Sequence, residues 1–336
     1  MTIPRIRAKR SALALILVIG MTSGLAPAAL AQVSLSPPAG PLGAAKSWGY
    51  QLQNPDVKTL SAAPYDVLVI DYSRDGTEDG VLKPADLAKL KTKPDGTKRI
   101  VLCYMSIGEA EDYRYYWKKR WGWFSWLPRW SIFSWFVPAW LGPGNKEWHG
   151  NYGVRYWDPG WQNVILGSGD GYLERIARAG FDGVYLDKID EHQDMKTHNI
   201  KAAQDMMTFV KRIADRGRAL KPEFLIVPQN GEELLSNPAY RAAIDGIGKE
   251  DLLFGEDGDG KPNKADQIAD NLAKLKLLTN DRKPVLAVEY LDDPKVITST
   301  RKTLEEYGFV PHFANRALDR MRMSDLPVPG EKKGRR

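Results

Sequence analysis

The sequence predicts an α/β protein folded as a (β/α)8 TIM barrel, with a long Trp-rich insertion after the third strand. Three observations lead there. Eight short apolar runs alternate with stretches of helical periodicity, the order expected of parallel strands joined by crossover helices. Most of these runs end in carboxylates, and in a parallel barrel all such ends open onto one face. About 305 residues follow an N-terminal leader, enough for one large barrel.

Taken in chain order, residues 1–31 have the layout of a signal peptide. Arg5, Arg7, Lys9 and Arg10 form a basic start, and Leu13–Ile19 is an apolar segment short for a membrane span. Ala29-Leu30-Ala31 supplies a small-residue cleavage site, so a periplasmic or secreted protein is expected. Residues 32–46, rich in Pro, Gly, Ala and Ser, read as a linker. The catalytic domain is expected over 47–320, with strands at 47–52, 66–71, 99–106, 182–187, 223–228, 244–249, 285–290 and 308–313. Pro84 suits the first turn of a helix over 84–91. Helices over 197–214, 264–279 and 295–307 follow from apolar residues at three- or four-residue steps. These are Ile200, Ala203, Met207, Val210 and Ile213, then Ile268, Leu272, Leu275 and Leu278, then Val296, Thr300, Leu304 and Tyr307. Gly180 and Gly308 fall where C-terminal caps belong. Residues 321–336 read as a disordered basic tail.

The charge excludes one function class. The formal net charge is +6, but leader and tail hold the excess, and residues 32–330 come to about −1. A nucleic-acid partner is therefore not expected. The one cysteine, Cys103, sits in an apolar run and reads as a buried thiol.

Residues 113–161 break the strand–helix rhythm and hold ten of the eleven tryptophans. Three readings fit: sugar stacking, a folded lid with its own core, or a membrane-surface or protein contact through 121–136, which Lys118, Lys119 and Arg120 precede. Pro128 and Pro138 argue against a transmembrane helix. Lid and sugar contact are assigned to Trp140, Trp148 and Trp157.

The apolar runs lead into Asp71, into Glu109 and Glu111, into Asp187, into Gln229 and Asn230, into Glu250, and into Glu289 and Tyr290. Converging carboxylates with only four histidines fit hydrolysis of a glycosidic bond, in which one acid protonates and another attacks or activates water.

The stretches Ser106-Ile107-Gly108-Glu109-Ala110-Glu111-Asp112-Tyr113-Arg114, Pro138-Ala139-Trp140-Leu141-Gly142-Pro143, Val154-Arg155-Tyr156-Trp157-Asp158-Pro159 and Gly180-Phe181-Asp182-Gly183-Val184-Tyr185-Leu186-Asp187 resemble the endo-α-1,4-polygalactosaminidase family, glycoside hydrolase family 114. The resemblance spans about 47–320 and is poorest across 118–136. It implies a barrel and a retaining mechanism on α-1,4-linked galactosamine polymers, with no cofactor.

Asp187 is the expected nucleophile, because it ends a buried strand and lies in a family-like motif. Its rival reading is a helix cap. Glu250 is the expected general acid/base, with Leu252, Leu253 and Phe254 as an apolar wall to raise its pKa. Asp251 and Glu289 are rival acids. Substrate contact is assigned to Asp71, Tyr104, Glu109, Glu111, Trp140, Trp157, Asn230, Glu289 and Tyr290. Arg74 or Arg114 would otherwise pair with Asp71, Glu109 and Glu111. The expected partner is a polysaccharide, a cationic amino-sugar polymer that an acidic mouth attracts.

Two alternatives remain in view. Asp187, Asp190, Glu191, His192, Asp194 and His198 form a local cluster that would suit a metal-dependent polysaccharide deacetylase, although no H-E-x-x-H spacing is present and no metal site is assigned. A catalytically inactive carbohydrate-binding barrel is the non-enzyme reading.

Overall fold

The structure, a computed structural model, describes residues 40–124, 134–195 and 199–322. The leader, residues 32–39 of the expected linker, 125–133 of the insertion, His198 and 323–336 of the tail lie outside the described residues.

Eight parallel strands carry the fold: β1 (Trp48–Gln51), β2 (Val67–Ile70), β3 (Ile100–Ser106), β4 (Gly183–Asp187), β5 (Leu225–Pro228), β6 (Ile247–Glu250), β7 (Val285–Glu289) and β8 (Val310–Phe313). Strands β1 to β5 pair in chain order as one sheet, and β6 to β8 as a second. A parallel bridge between Gln229 and Gly248 joins β5 to β6. Between β8 and β1, side chains take over from the ladder. Trp48 Nε1 donates to the Val310 carbonyl at 2.9 Å, and the Tyr50 N–H donates to His312 Nε2 at 3.3 Å. The result is an α/β fold with a parallel central sheet whose strands follow one another in barrel order.

Strand parity divides the core in two. Alternate residues face opposite sides of a strand. Trp48, Tyr50, Val67, Val69, Leu102, Tyr104, Tyr185, Val227, Leu286 and Val288 form an inner cluster. Their neighbours Leu68, Ile70, Val101, Cys103, Val184, Leu186, Ile226, Val285 and Ala287 pack in a second cluster with the helices. One close fit holds the inner side together: a β-carbon at Gly248 would sit 1.9 Å from the Tyr185 hydroxyl oxygen.

The helices lie near their expected bounds, at Pro84–Leu90, Ala265–Asn280 and Pro294–Glu306. Gly180 (φ 107°) and Gly308 (φ 78°) both adopt the left-handed geometry of a C-terminal cap. The helix expected over 197–214 instead runs Ala202–Leu220. Its buried face is Met206, Phe209, Val210, Ile213, Ala214 and Gly217, and Ile200 is 96% exposed. The expected stripe was anchored on the wrong residue, because Phe209 and the small Gly217, which packs on Phe224, set the buried face.

The insertion forms a small antiparallel sheet in which Asn151–Val154 lies between Glu109–Glu111 and Leu141–Gly144. Its indoles pack on one another, Trp117 with Trp121 (5.4 Å), Trp121 with Trp140 (5.3 Å) and Trp140 with Trp161 (4.9 Å). Of the three readings, the folded lid with its own core accounts for these rings. Among the described residues no helix is long and apolar enough to cross a membrane.

Candidate active site

The carboxyl ends of the strands surround one cavity of about 710 Å³. Parity selects its lining. Asp187 extends the inward row of Tyr185, Gln229 that of Val227, Glu250 that of Gly248, and Tyr290 that of Val288. All four line the cavity with Tyr50, Tyr104 and Asn230.

Gln229 joins the two central acids. Its side-chain N–H₂ donates to Asp187 Oδ1 at 3.0 Å and to Glu250 Oε2 at 2.6 Å. These oxygens therefore lie within about 5.6 Å of each other, the sum of 3.0 and 2.6 Å. The amide is oriented from below, where the buried Tyr50 hydroxyl donates to Gln229 Oε1 at 3.1 Å. Asp187 also accepts from the Tyr104 hydroxyl at 2.6 Å and from the Lys188 N–H at 2.7 Å. Glu250 accepts from the Tyr290 hydroxyl and from Asn230 Nδ2 at 3.2 Å. Asn230 holds a left-handed φ of 58°, which turns its side chain back over β6, where its Oδ1 accepts the Glu250 N–H at 3.1 Å.

Removal from water pushes both acids above the ordinary carboxylate range. Asp187 rises to about 6, through burial and the neighbouring Asp190 charge, held back by the Tyr104 hydrogen bond. Glu250 rises to about 7, through burial and the Asp187 charge beside it. Such a pair can hold one proton near neutrality while its second member is ionised. It can thus present a proton donor and an anionic oxygen to one bond.

The remaining expected residues divide. Glu109 lines the cavity and accepts from Asn145 Nδ2 (2.8 Å) and Asn151 Nδ2 (3.2 Å), with Lys188 Nζ at 3.7 Å. Asp71 and Glu111 also line it, but both are buried and bound by the same guanidinium. Arg114 reaches Asp71 at 2.7 Å through each terminal nitrogen and Glu111 at 2.7 Å through Nε. The pairing with Arg114 holds, and neither acid is a free partner for a substrate cation.

Three assignments are corrected. Glu289 is fully buried and accepts the backbone N–H groups of Leu253 (2.8 Å) and Phe254 (3.2 Å), because its parity turns it away from the cavity. Trp140 is 5% exposed inside the insertion core. Trp157 is half-buried against Tyr156 at 5.0 Å, away from the cavity lining. Aromatic packing claims the two indoles, whereas strand parity and two backbone donors claim Glu289.

The rival acid Asp251 is bound by Arg316 at 2.7 and 3.1 Å. Arg316 also stacks 3.8 Å over the Tyr290 ring and so backs the residue that donates to Glu250. His192, one of the two histidines of the alternative metal cluster, is occupied at both nitrogens, by the Ile189 carbonyl (2.8 Å) and by Glu233 (2.7 Å). Among the described residues no group of three His, Cys, Asp or Glu is placed to hold an ion. Tyr50, Lys188 and Arg316 carry no assignment from the sequence, which reads Gln229 as a strand-end residue able to bind a sugar hydroxyl, with a plain turn at Gly231 as the rival. Counting parity from Tyr185 and Val227 finds Asp187 and Gln229, whereas nothing local in the sequence marks Arg316.

Comparison with known proteins gives a consistent answer. The sequence model described as glycoside-hydrolase family GH114 matches residues 25–326. An uncharacterised protein of Methanocaldococcus jannaschii is 35% identical over 291 residues, covering 82% of this chain and 77% of that protein. One from Deinococcus radiodurans is 33% identical over 284 residues, covering 83% of each. Among solved structures, the glycoside hydrolase domain of PelA from Pseudomonas aeruginosa aligns with a TM-score of 0.59 at 18% identity, over 82% of this chain and 97% of that one, and shares its fold.

Proposed function

The chain belongs to glycoside-hydrolase family GH114, and on that premise we propose that it cleaves internal α-1,4 linkages of a galactosamine-containing polysaccharide with retention of configuration. The observation that carries the reading is the Gln229 bridge, which holds Asp187 and Glu250 within about 5.6 Å at their bonded oxygens. Retaining enzymes space their acids by about 5–5.5 Å, whereas inverting ones leave roughly 6.5–9.5 Å for a water.

In this mechanism Glu250, the acid with the higher pKa, protonates the glycosidic oxygen as the C–O bond breaks. Asp187 attacks the anomeric carbon and forms a glycosyl ester. The Glu250 carboxylate then takes a proton from water, which cleaves the ester and restores both acids. Tyr104 and Gln229 steady the Asp187 oxygens, and Tyr290 and Asn230 those of Glu250.

The lining supports a cationic substrate. Arg74 is paired with Asp86, and Arg316 with Asp251 and Asp259, which leaves Lys188 against Glu109, Asp187, Asp190 and Glu250. An ammonium sugar meets net negative charge there. Export through the leader would place the enzyme with extracellular polymers.

The test is digestion of a defined α-1,4-galactosamine polymer, with product sizes and the anomeric configuration read by NMR. Wild type should give internal fragments with retained configuration. Asp187→Asn and Glu250→Gln should each lower the rate by at least about a thousandfold while both variants stay folded. Inverted products, or full activity in either variant, would overturn the mechanism.

A further inference from the structure

Among the described residues of the insertion, Trp123, Trp135 and Trp148 stay exposed outside its core, and of these Trp148 lines the cavity. Trp148 is 53% exposed and, among the described residues, is the only tryptophan lining the cavity. Its backbone is nonetheless held in place. Asn145 Oδ1 accepts the Trp148 N–H at 3.2 Å, and the Trp148 carbonyl accepts the Asn151 N–H at 3.1 Å. Asn145 also donates to Glu109 at 2.8 Å, tying this turn to the cavity wall beside Lys188, the residue after Asp187. Gly150, at φ 98°, completes the turn in a conformation that disfavours other residues. A fixed backbone that presents a large apolar ring to water, at the edge of a polar cavity, is the arrangement of a binding platform.

Resting on the glycosidase reading above, we propose that Trp148 forms a second sugar subsite on the insertion side of the cavity, stacking the C–H face of a pyranose ring away from the bond that is cut. The ligand class follows from the chemistry. A pyranose offers one flat apolar face ringed by polar groups, so an indole covers the face while the Glu109 side of the cavity meets hydroxyl or ammonium groups. The cavity extends from the acid pair to Trp148, which gives a chain of sugars a second place to be held.

The experiment is affinity electrophoresis in gels containing the deacetylated polymer, with Asp187→Asn as the background to stop turnover. Adding Trp148→Ala should weaken polymer binding about fivefold to tenfold, the worth of one aromatic stack, and Trp148→Phe should recover most of it. Binding of a disaccharide, followed by titration calorimetry, should change by less than roughly twofold, because it occupies the acid pair without reaching Trp148. Unchanged polymer binding in Trp148→Ala, or equal losses for polymer and disaccharide, would overturn the subsite. If the wild type binds through Trp148 but cleaves nothing, the hydrolase reading fails and the subsite stands. If it cleaves and Trp148→Ala binds as well as the parent, the reverse holds.

Discussion

Among the single residues, the Gln229 amide sets the relation between the two acids. It donates to both carboxylates, so it favours their ionised forms. The productive state has Asp187 ionised and Glu250 protonated. For the free enzyme, kcat/KM should therefore rise as pH climbs through about 6 and fall beyond about 7, values that describe the pair as a unit. Gln229→Met removes the donor from both anions, and each then titrates at higher pH. Both limbs of the profile should move to alkaline pH by about one unit, the equivalent of one charge-assisted hydrogen bond. Limbs that stay put would show that the amide only fills space. The sequence displayed Gln229 at a strand end, yet its role depends on Glu250, twenty-one residues later, and on Tyr50, far earlier in the chain. No local pattern contains that triangle.

For the strands, parity explains both the successes and the corrections. Asp187 and Tyr290 continue inward rows, and Glu289 belongs to the outward row of Val285 and Ala287. Reading the end of β7 as a run of usable acids overlooked this alternation, although Val285–Glu289 already displays it. Gly248 gives the clearest test of strand fit. A methyl group there meets the Tyr185 hydroxyl at 1.9 Å and its ring carbon Cζ at 2.4 Å. Gly248→Ala should destabilise the protein by about 1–3 kcal/mol, visible as a lower Tm, and Tyr185→Phe should relieve it only in part. An unchanged Tm would mean that the ring moves aside at no cost. The tryptophan insertion was legible as a unit but not by residue. Composition announces many indoles, whereas only packing tells that Trp140 serves the lid core and Trp148 does not.

Over the whole molecule, charge is distributed so that a domain near neutrality carries an acidic cavity. Such a field acts over roughly 10 Å at 0.1 M salt and less as salt rises. KM for a deacetylated, cationic polymer should therefore rise several-fold between about 0.05 and 0.5 M salt, while turnover of a fully acetylated polymer stays level. Equal salt dependence for the two would remove charge from the account of substrate choice. Barrel order itself rests on contacts distant in sequence, since Trp48 and Tyr50 reach Val310 and His312 across 262 residues.

The sequence by itself determined the eight strands, their parallel order, the carboxylates at their ends and the family, because strand alternation, helix periodicity and long motifs are local signals. Tertiary structure decided which acids remain unpaired in the cavity and which are claimed. Arg114 takes Asp71 and Glu111, Arg316 takes Asp251, two backbone amides take Glu289, and Gln229 spans Asp187 and Glu250. The reason is physical: a carboxylate's availability depends on the donors that folding brings within about 3 Å, and most of those donors come from other segments of the chain.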